Sequence, residues 1–174
     1  SLLSDKNQPA LSTGLIRKHH ANVSLPGWLN FIGSHREETL FPAVQPYLIE
    51  GRLNELIGWA EEKFQSAPLV TTAVFHLVFL HISPLPRANH LASLVLMRGL
   101  LADAGYPLSP ERSFLKYAQR YFQALKQAER TVFATWATLN VWITFFLDSL
   151  LEELQIEAKE KENRLTAVTS VQSR

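Results

Sequence analysis

Apolar residues in the middle of the chain recur at helical spacing and predict a series of helices. After Pro46, apolar and charged positions alternate every three or four residues, which predicts a surface helix with one buried face: Ile49, Leu53, Leu56, Ile57, Ala60 and Phe64. Residues Leu69 to Ile82 and His90 to Ala104 are apolar almost all round, as helices in the middle of a domain are. We therefore predict an all-α fold organised around two buried central helices, the second ending at Gly105 in a left-handed cap.

The second half of the chain predicts two further helices. Ser109-Pro110-Glu111 is expected to begin one, with a buried stripe of Phe114, Ala118, Phe122 and Leu125. Asn140 is the predicted cap of the other, whose buried face would hold Trp142, Phe146, Ser149, Leu150 and Glu153. The apolar stripe ends after Ile156, so we expect a solvated helix end and frayed last residues.

Composition limits the classes of function. The chain has 174 residues, 47% of them apolar, which suggests one domain. The formal net charge of +1 gives no argument for nucleic acid or for an anionic membrane, and we expect neither as a partner. There is no cysteine, which excludes disulfides and thiolate metal sites and permits the cytoplasmic location that we expect. His19, His20 and His35 lie in segments without metal-ligand spacing, and His76 is predicted to be a core histidine, so no metal site is predicted.

Around the loop between the two central helices, the sequence resembles the Fic domain proteins. Their motif, H-P-F-x-D/E-G-N-G-R-x-x-R, is usually preceded by H-x-x-F-x-x-I and followed by a helix ending A-G-Y-P. His76, Phe79 and Ile82 match the first pattern, and Ala104-Gly105-Tyr106-Pro107 matches the last at the right distance. Between them, the proline and the asparagine of the motif are found as Pro84 and Asn89.

The resemblance extends over residues 12–155, with a loose segment at 1–11 and a polar helix end and tail at 156–174. It implies a Fic-like (Fido) helical bundle with a small β-hairpin flap. In the family the flap pairs with a target peptide as an added strand. The partner-binding residues it implies here are Trp28, Asn30, Phe31 and Ile32.

The resemblance fails at most of the catalytic positions. Fic proteins transfer AMP from ATP to a protein hydroxyl, which requires a base, a magnesium-binding carboxylate and phosphate contacts. Here Ser83 stands in place of the histidine and Arg87 in place of the carboxylate, and the remaining glycine and arginine positions hold Ala88, His90, Leu91 and Leu94. A missing general base alone costs roughly 10²–10⁴ in rate, and Arg87 repels a divalent cation.

The sequence therefore predicts a pseudoenzyme with no catalytic residues and no cofactor, which acts as a protein-binding or regulatory module. A protein partner would use the flap or the loop surface, and a homodimer is one expected arrangement. The alternative is a divergent nucleotidyl or phosphoryl transferase that acts on protein hydroxyls. It would use ATP and magnesium, with Arg87, Asn89 and His90 as the anion-binding residues. A third reading is a structural domain of a larger protein.

Two residues of the loop have simpler interpretations. Asn89 is predicted to be an ordinary cap of the helix that follows it, in preference to a phosphate ligand. Ser83 with His81 or His90 is not expected to form a hydrolase pair, because no strand-turn-helix elbow surrounds the serine.

Overall fold

The structure is a computed structural model that describes residues 41, 44–85, 87–129 and 136–172. A short 3₁₀ turn at Pro46–Leu48 is followed by six helices within these ranges: α1 Ile49–Lys63, α2 Pro68–Ile82, α3 Asn89–Asp103, α4 Glu111–Lys116, α5 Ala118–Glu129 and α6 Trp136–Gln172. These ranges contain no strand, so the all-α class is confirmed for them. The predicted hairpin at residues 28–33 lies outside the described residues. The helices fall into two compact units, one up to Gly105 and one from Tyr106.

In the first unit, α2 packs against both α1 and α3. The predicted face of α1 is confirmed, although Ile57 is only half-buried. Burying a large apolar side chain stabilises a fold by about 1.5–3 kcal/mol, so this cluster holds the three helices together. Its buried members are Ile49, Leu53, Leu56, Ala60, Phe64, Phe75, Phe79, Ile82, Ala92, Leu96 and Leu100.

The ends of α2 and α3 agree with the sequence prediction. Pro68 is the first residue of α2, where its missing N–H costs nothing. Gly105 follows α3 with φ of 83°, a left-handed conformation that glycine adopts without strain. These two ends fix the length of the helix pair that carries the intervening loop.

In the second unit, a break at Tyr117 separates α4 from α5 and corrects the prediction of one continuous helix. Tyr117 has φ −114° and ψ 39°, outside the helical region. Tyr121, which follows the buried Phe114 by seven residues, is buried, whereas Phe122, predicted to be buried, is 41% exposed. Tyr121 stacks on Phe114 with ring centroids 4.7 Å apart.

Helix α6 begins earlier and ends later than predicted. It begins at Trp136, so Asn140 lies inside the helix and the predicted cap at that residue is wrong. Its predicted buried face is confirmed, since all five residues are buried: Trp142, Phe146, Ser149, Leu150 and Glu153. The helix continues to Gln172, so the predicted fraying is wrong as far as that residue, and the last two residues lie outside the described part. Residues 157–165 consist mostly of Glu, Lys, Ala and Leu, which are good helix formers.

Candidate functional site

The loop between α2 and α3 begins at Ser83, which ends α2 in a left-handed conformation. Its φ is 47° and ψ 59°, and its N–H donates to the carbonyl of Phe79 at 2.9 Å. The hydroxyl of Ser83 is buried and donates to the carbonyl of Leu80 at 2.6 Å. The left-handed conformation costs a non-glycine residue roughly 1–2 kcal/mol. The hydroxyl is thus directed into the end of α2 rather than toward a histidine or a ligand.

Asn89 closes the loop through its side chain. Its Oδ1 accepts a hydrogen bond from the N–H of Leu85 at 2.8 Å, and its Nδ2 donates to the carbonyl of Leu85 at 2.8 Å. Asn89 is the first residue of α3, and the N-cap position is held by Ala88 without a side-chain cap. The prediction that Asn89 caps the helix is therefore wrong. The amide pairs with the N–H and the carbonyl of Leu85 and does not cap the helix.

Ala88 also has a left-handed backbone, with φ of 58°. In the described part of the chain, Ser83 and Ala88 are the two residues other than glycine that have positive φ, and they lie on either side of the loop. Non-glycine residues adopt this region rarely, and a strained backbone that persists often marks a present or former functional segment. The alanine stands where the Fic motif has a glycine.

The remaining predicted site residues lie at the surface or near it. Arg87, His90 and Leu91 are exposed, whereas Leu94 is half-buried. Leu91 is 61% exposed, although it is a large apolar side chain. The structure thus places Arg87, Asn89, His90 and Leu91 along one loop and the first turn of α3, but Asn89 is already engaged with main chain.

Two buried histidines lie on α2 beneath this loop. His76 is fully buried, with its ring 6.4 Å from that of His90 in an edge arrangement. Burial is the main cause that lowers the pKa of His76 to about 3, and the nearby charge of His90 lowers it further. A backbone hydrogen bond with Ser93 acts in the opposite direction and raises the pKa. His81 stacks on Phe41 at 3.9 Å, and burial lowers its pKa to about 4. Both rings are therefore neutral near pH 7, which agrees with the prediction that His76 is a core histidine.

A polar cluster around Glu152 and Glu153 in the second unit was not predicted from the sequence. Ser113 donates to Glu152 at 2.9 Å and to the buried Glu153 at 3.3 Å. Lys116 lies 2.5 Å from the other oxygen of Glu152. The hydrogen bond between Lys116 and Glu152 raises the pKa of Lys116. The same bond, together with the bond from Ser113, lowers the pKa of Glu152. The cluster joins α4 to α6, and its groups satisfy one another.

The described residues offer no group of three or more His, Cys, Asp or Glu side chains that could hold a metal ion. Within the same part of the chain, no helix combines the length and the apolar character needed to cross a bilayer. Comparisons of the chain with protein-family models, curated proteins and solved structures found no match. The resemblance to Fic domain proteins therefore stays a prediction from the sequence.

Proposed function

We propose that this chain is a degenerate Fic-like protein that does not transfer AMP and instead binds a protein partner. The observation that carries the proposal is the double hydrogen bond between the side chain of Asn89 and the main chain of Leu85. In the resemblance, this asparagine is a phosphate donor. Here its Oδ1 and one Nδ2 hydrogen are used inside the loop, and these two hydrogen bonds hold the amide against the main chain of Leu85 rather than toward a phosphate.

The position of Ser83 supports the same proposal. A base for AMP transfer must reach the incoming hydroxyl within about 2.6–3.2 Å. The Ser83 hydroxyl is buried and bonded to the end of its own helix, and a neutral hydroxyl is no base near pH 7. Arg87 at the carboxylate position adds a positive charge where magnesium would be needed.

The backbone of Ala88 supports descent from a glycine-containing loop. With φ of 58°, the residue keeps a conformation that glycine adopts freely and alanine adopts at a cost. A loop selected only as a helix connection would have little reason to keep this strain. Retained shape with altered side chains is what a pseudoenzyme of this family would show.

The binding surface that we propose is the loop face, which consists of Arg87, Leu91 and Val95. Leu91 and Val95 lie one turn apart on α3, and they are 61% and 37% exposed. Leu91 takes the place of an arginine of the motif, so an apolar group has replaced a phosphate contact. This face suits a protein segment with an apolar side chain and an acidic group near Arg87. The flap residues, homodimer formation and a cytoplasmic location remain parts of the proposal that rest on the sequence.

The test combines a chemical assay with a matched pair of surface variants. The chain is incubated with ATP labelled on the α-phosphate, magnesium and lysate, and we expect no labelled protein. Leu91→Glu with Val95→Glu should then abolish recovery of a co-purified partner. Leu115→Glu, at a leucine that is 79% exposed in the other unit, should leave recovery unchanged. Label transfer, or equal recovery with both variants, contradicts the proposal.

A further inference from the structure

Helix α6 carries a stripe of residues with the spacing of a coiled coil. Positions alternate by four and three residues and are apolar except for Lys161: Leu147, Leu151, Leu154, Ala158, Lys161 and Leu165. Leu151 is 54% exposed, Leu154 is 42% exposed and Leu165 is 70% exposed. A repeat of this kind keeps one seam of a helix facing a partner helix.

This part of α6 extends beyond the core of its own unit. The buried face of the helix ends at Glu153, and the side chains of residues 158–166 are all exposed. At 1.5 Å per residue, the stretch from Leu154 to Gln172 is about 28 Å long. Most of the stability of a helix in a protein comes from packing of its apolar face, so exposed leucines at Leu154 and Leu165, on a helix that continues past its own core, point to a partner helix.

We propose that the partner is a second copy of the chain, packed antiparallel along this stripe. A two-fold interface requires that a surface complement itself. In an antiparallel pair centred between Ala158 and Lys161, Leu154 of one copy lies opposite Leu165 of the other. Ala158 then lies opposite Lys161, and the apolar stem of Lys161 covers the alanine while its ammonium stays in water.

The charges beside the stripe favour the antiparallel direction. Glu157 and Arg164 occupy equivalent flanking positions one heptad apart, and antiparallel packing brings Glu157 of each copy toward Arg164 of the other. Parallel packing would instead bring Glu157 toward Glu162 of the other copy, where like charges repel. In the single chain, Arg164 lies 3.6 Å from Glu160, and both side chains are half-exposed or more. That weak pair leaves Arg164 able to shift toward Glu157 of the second copy.

The first test is sedimentation velocity of the full chain over a range of concentration. We expect a reversible dimer, and Leu154→Glu with Leu165→Glu should weaken it at least about a hundredfold, because carboxylates would enter both ends of the seam. Leu115→Glu is the matched control and should dimerise normally. Circular dichroism shows whether each variant is folded. A wild-type monomer at all concentrations, or a dimer unaffected by the double variant, overturns the proposal.

Two further variants determine the direction of the helices. Glu157→Arg should weaken an antiparallel dimer about tenfold, and adding Arg164→Glu should restore it. In a parallel dimer, Glu157→Arg would strengthen association instead. Because the chain has no cysteine, single cysteines also report direction without background. Mixed Leu154→Cys and Leu165→Cys chains of different mass should link to each other, whereas self-links at either position contradict the antiparallel arrangement.

This proposal shares homodimer formation with the proposed function but not its loop face or its lack of AMP transfer, because it concerns α6. A negative sedimentation result would reject the α6 dimer but not the proposals tested by labelled ATP and partner recovery. Negative results in those two assays would reject the proposed function but not the α6 dimer.

Discussion

Asn89 bonds the main chain of Leu85 through both ends of its amide, at 2.8 Å to the N–H and 2.8 Å to the carbonyl. A side-chain amide has the same donor and acceptor pattern as a peptide group, so it can complete a turn as a neighbouring strand would. The bond pair holds the loop in one shape. It also holds in place the asparagine that the proposed resemblance would make a phosphate donor.

Replacing Asn89 by alanine should destabilise the chain. Asn89→Ala removes two hydrogen bonds and leaves the main-chain groups of a half-buried residue without them, which costs about 1–3 kcal/mol. Urea denaturation measures the change. Asn54→Ala, at an exposed position of α1, is the control and should lie within about 0.5 kcal/mol of wild type. Equal effects of the two substitutions would show that the Asn89 amide does not stabilise the loop.

Replacing Ala88 by glycine should stabilise the chain. Ala88→Gly removes the cost of a left-handed alanine, roughly 1–2 kcal/mol, against an entropic cost for glycine of roughly 0.5–1 kcal/mol. We expect a net gain of up to about 1.5 kcal/mol, seen as a higher urea midpoint. Ala102→Gly makes the same chemical change at an exposed residue in regular α3 and should lower the midpoint. A loss of stability with Ala88→Gly would contradict the left-handed backbone.

Acid should destabilise the first unit through His76 and His81. Their pKa values in the fold, about 3 and about 4, lie below the ordinary value of 6.5. The unfolded chain therefore binds protons first as pH falls, so the stability is fully present above pH 6.5 and is lost toward pH 4. Between pH 7.5 and 5.5 each histidine should cost about 1.4 kcal/mol.

His81→Phe isolates one of these contributions. The phenylalanine can keep the stacking on Phe41 but cannot bind a proton, so the loss between pH 7.5 and 5.5 should shrink by about 1.4 kcal/mol. The pKa of His90 is also lowered, by partial desolvation of its ring, but His90 is present in both chains and does not affect the difference. Denaturant titrations at the two pH values measure it. An unchanged pH dependence would mean that His81 is not buried as a neutral ring.

Ser113 should contribute more to stability than its exposed neighbour Lys116. Ser113→Ala removes the donor to Glu152 and the buried Glu153, and a buried carboxylate that loses a donor costs about 1–3 kcal/mol. Lys116→Ala removes an exposed ion pair, whose effect should be smaller and should fade with added salt. Thermal unfolding at low and high salt compares the two. The reverse order would show that the cluster acts through surface charge.

Much of the fold could be predicted because apolar spacing is a strong signal. The buried faces of α1 and of α6, including the buried Glu153, follow from residues three and four positions apart. The break at Tyr117 could not be predicted in this way, since the apolar pattern around it also suits one continuous helix. Phe122 was predicted to be buried because it follows Ala118 by four residues, but Tyr121, seven residues after Phe114, is the buried ring.

The site was harder to predict because it depends on backbone conformation. The sequence identified Ser83, Arg87 and Asn89 as the residues to examine. No periodic pattern in the sequence predicts the left-handed backbone at Ser83 or the hydrogen bonds between Asn89 and Leu85. The polar cluster around Glu152 joins residues more than thirty positions apart in the chain, between Ser113 and Glu153. Only packing of α4 on α6 reveals it.

Calorimetric titration of the full chain with ATP and magnesium tests the central claim most directly, because the closed loop should leave no site for a nucleotide. We predict no heat of binding up to millimolar ATP, for the wild type and for Leu91→Glu alike. Saturable binding with micromolar affinity that is lost in Asn89→Ala would show that Asn89 leaves Leu85 to hold a phosphate, and it would contradict the account.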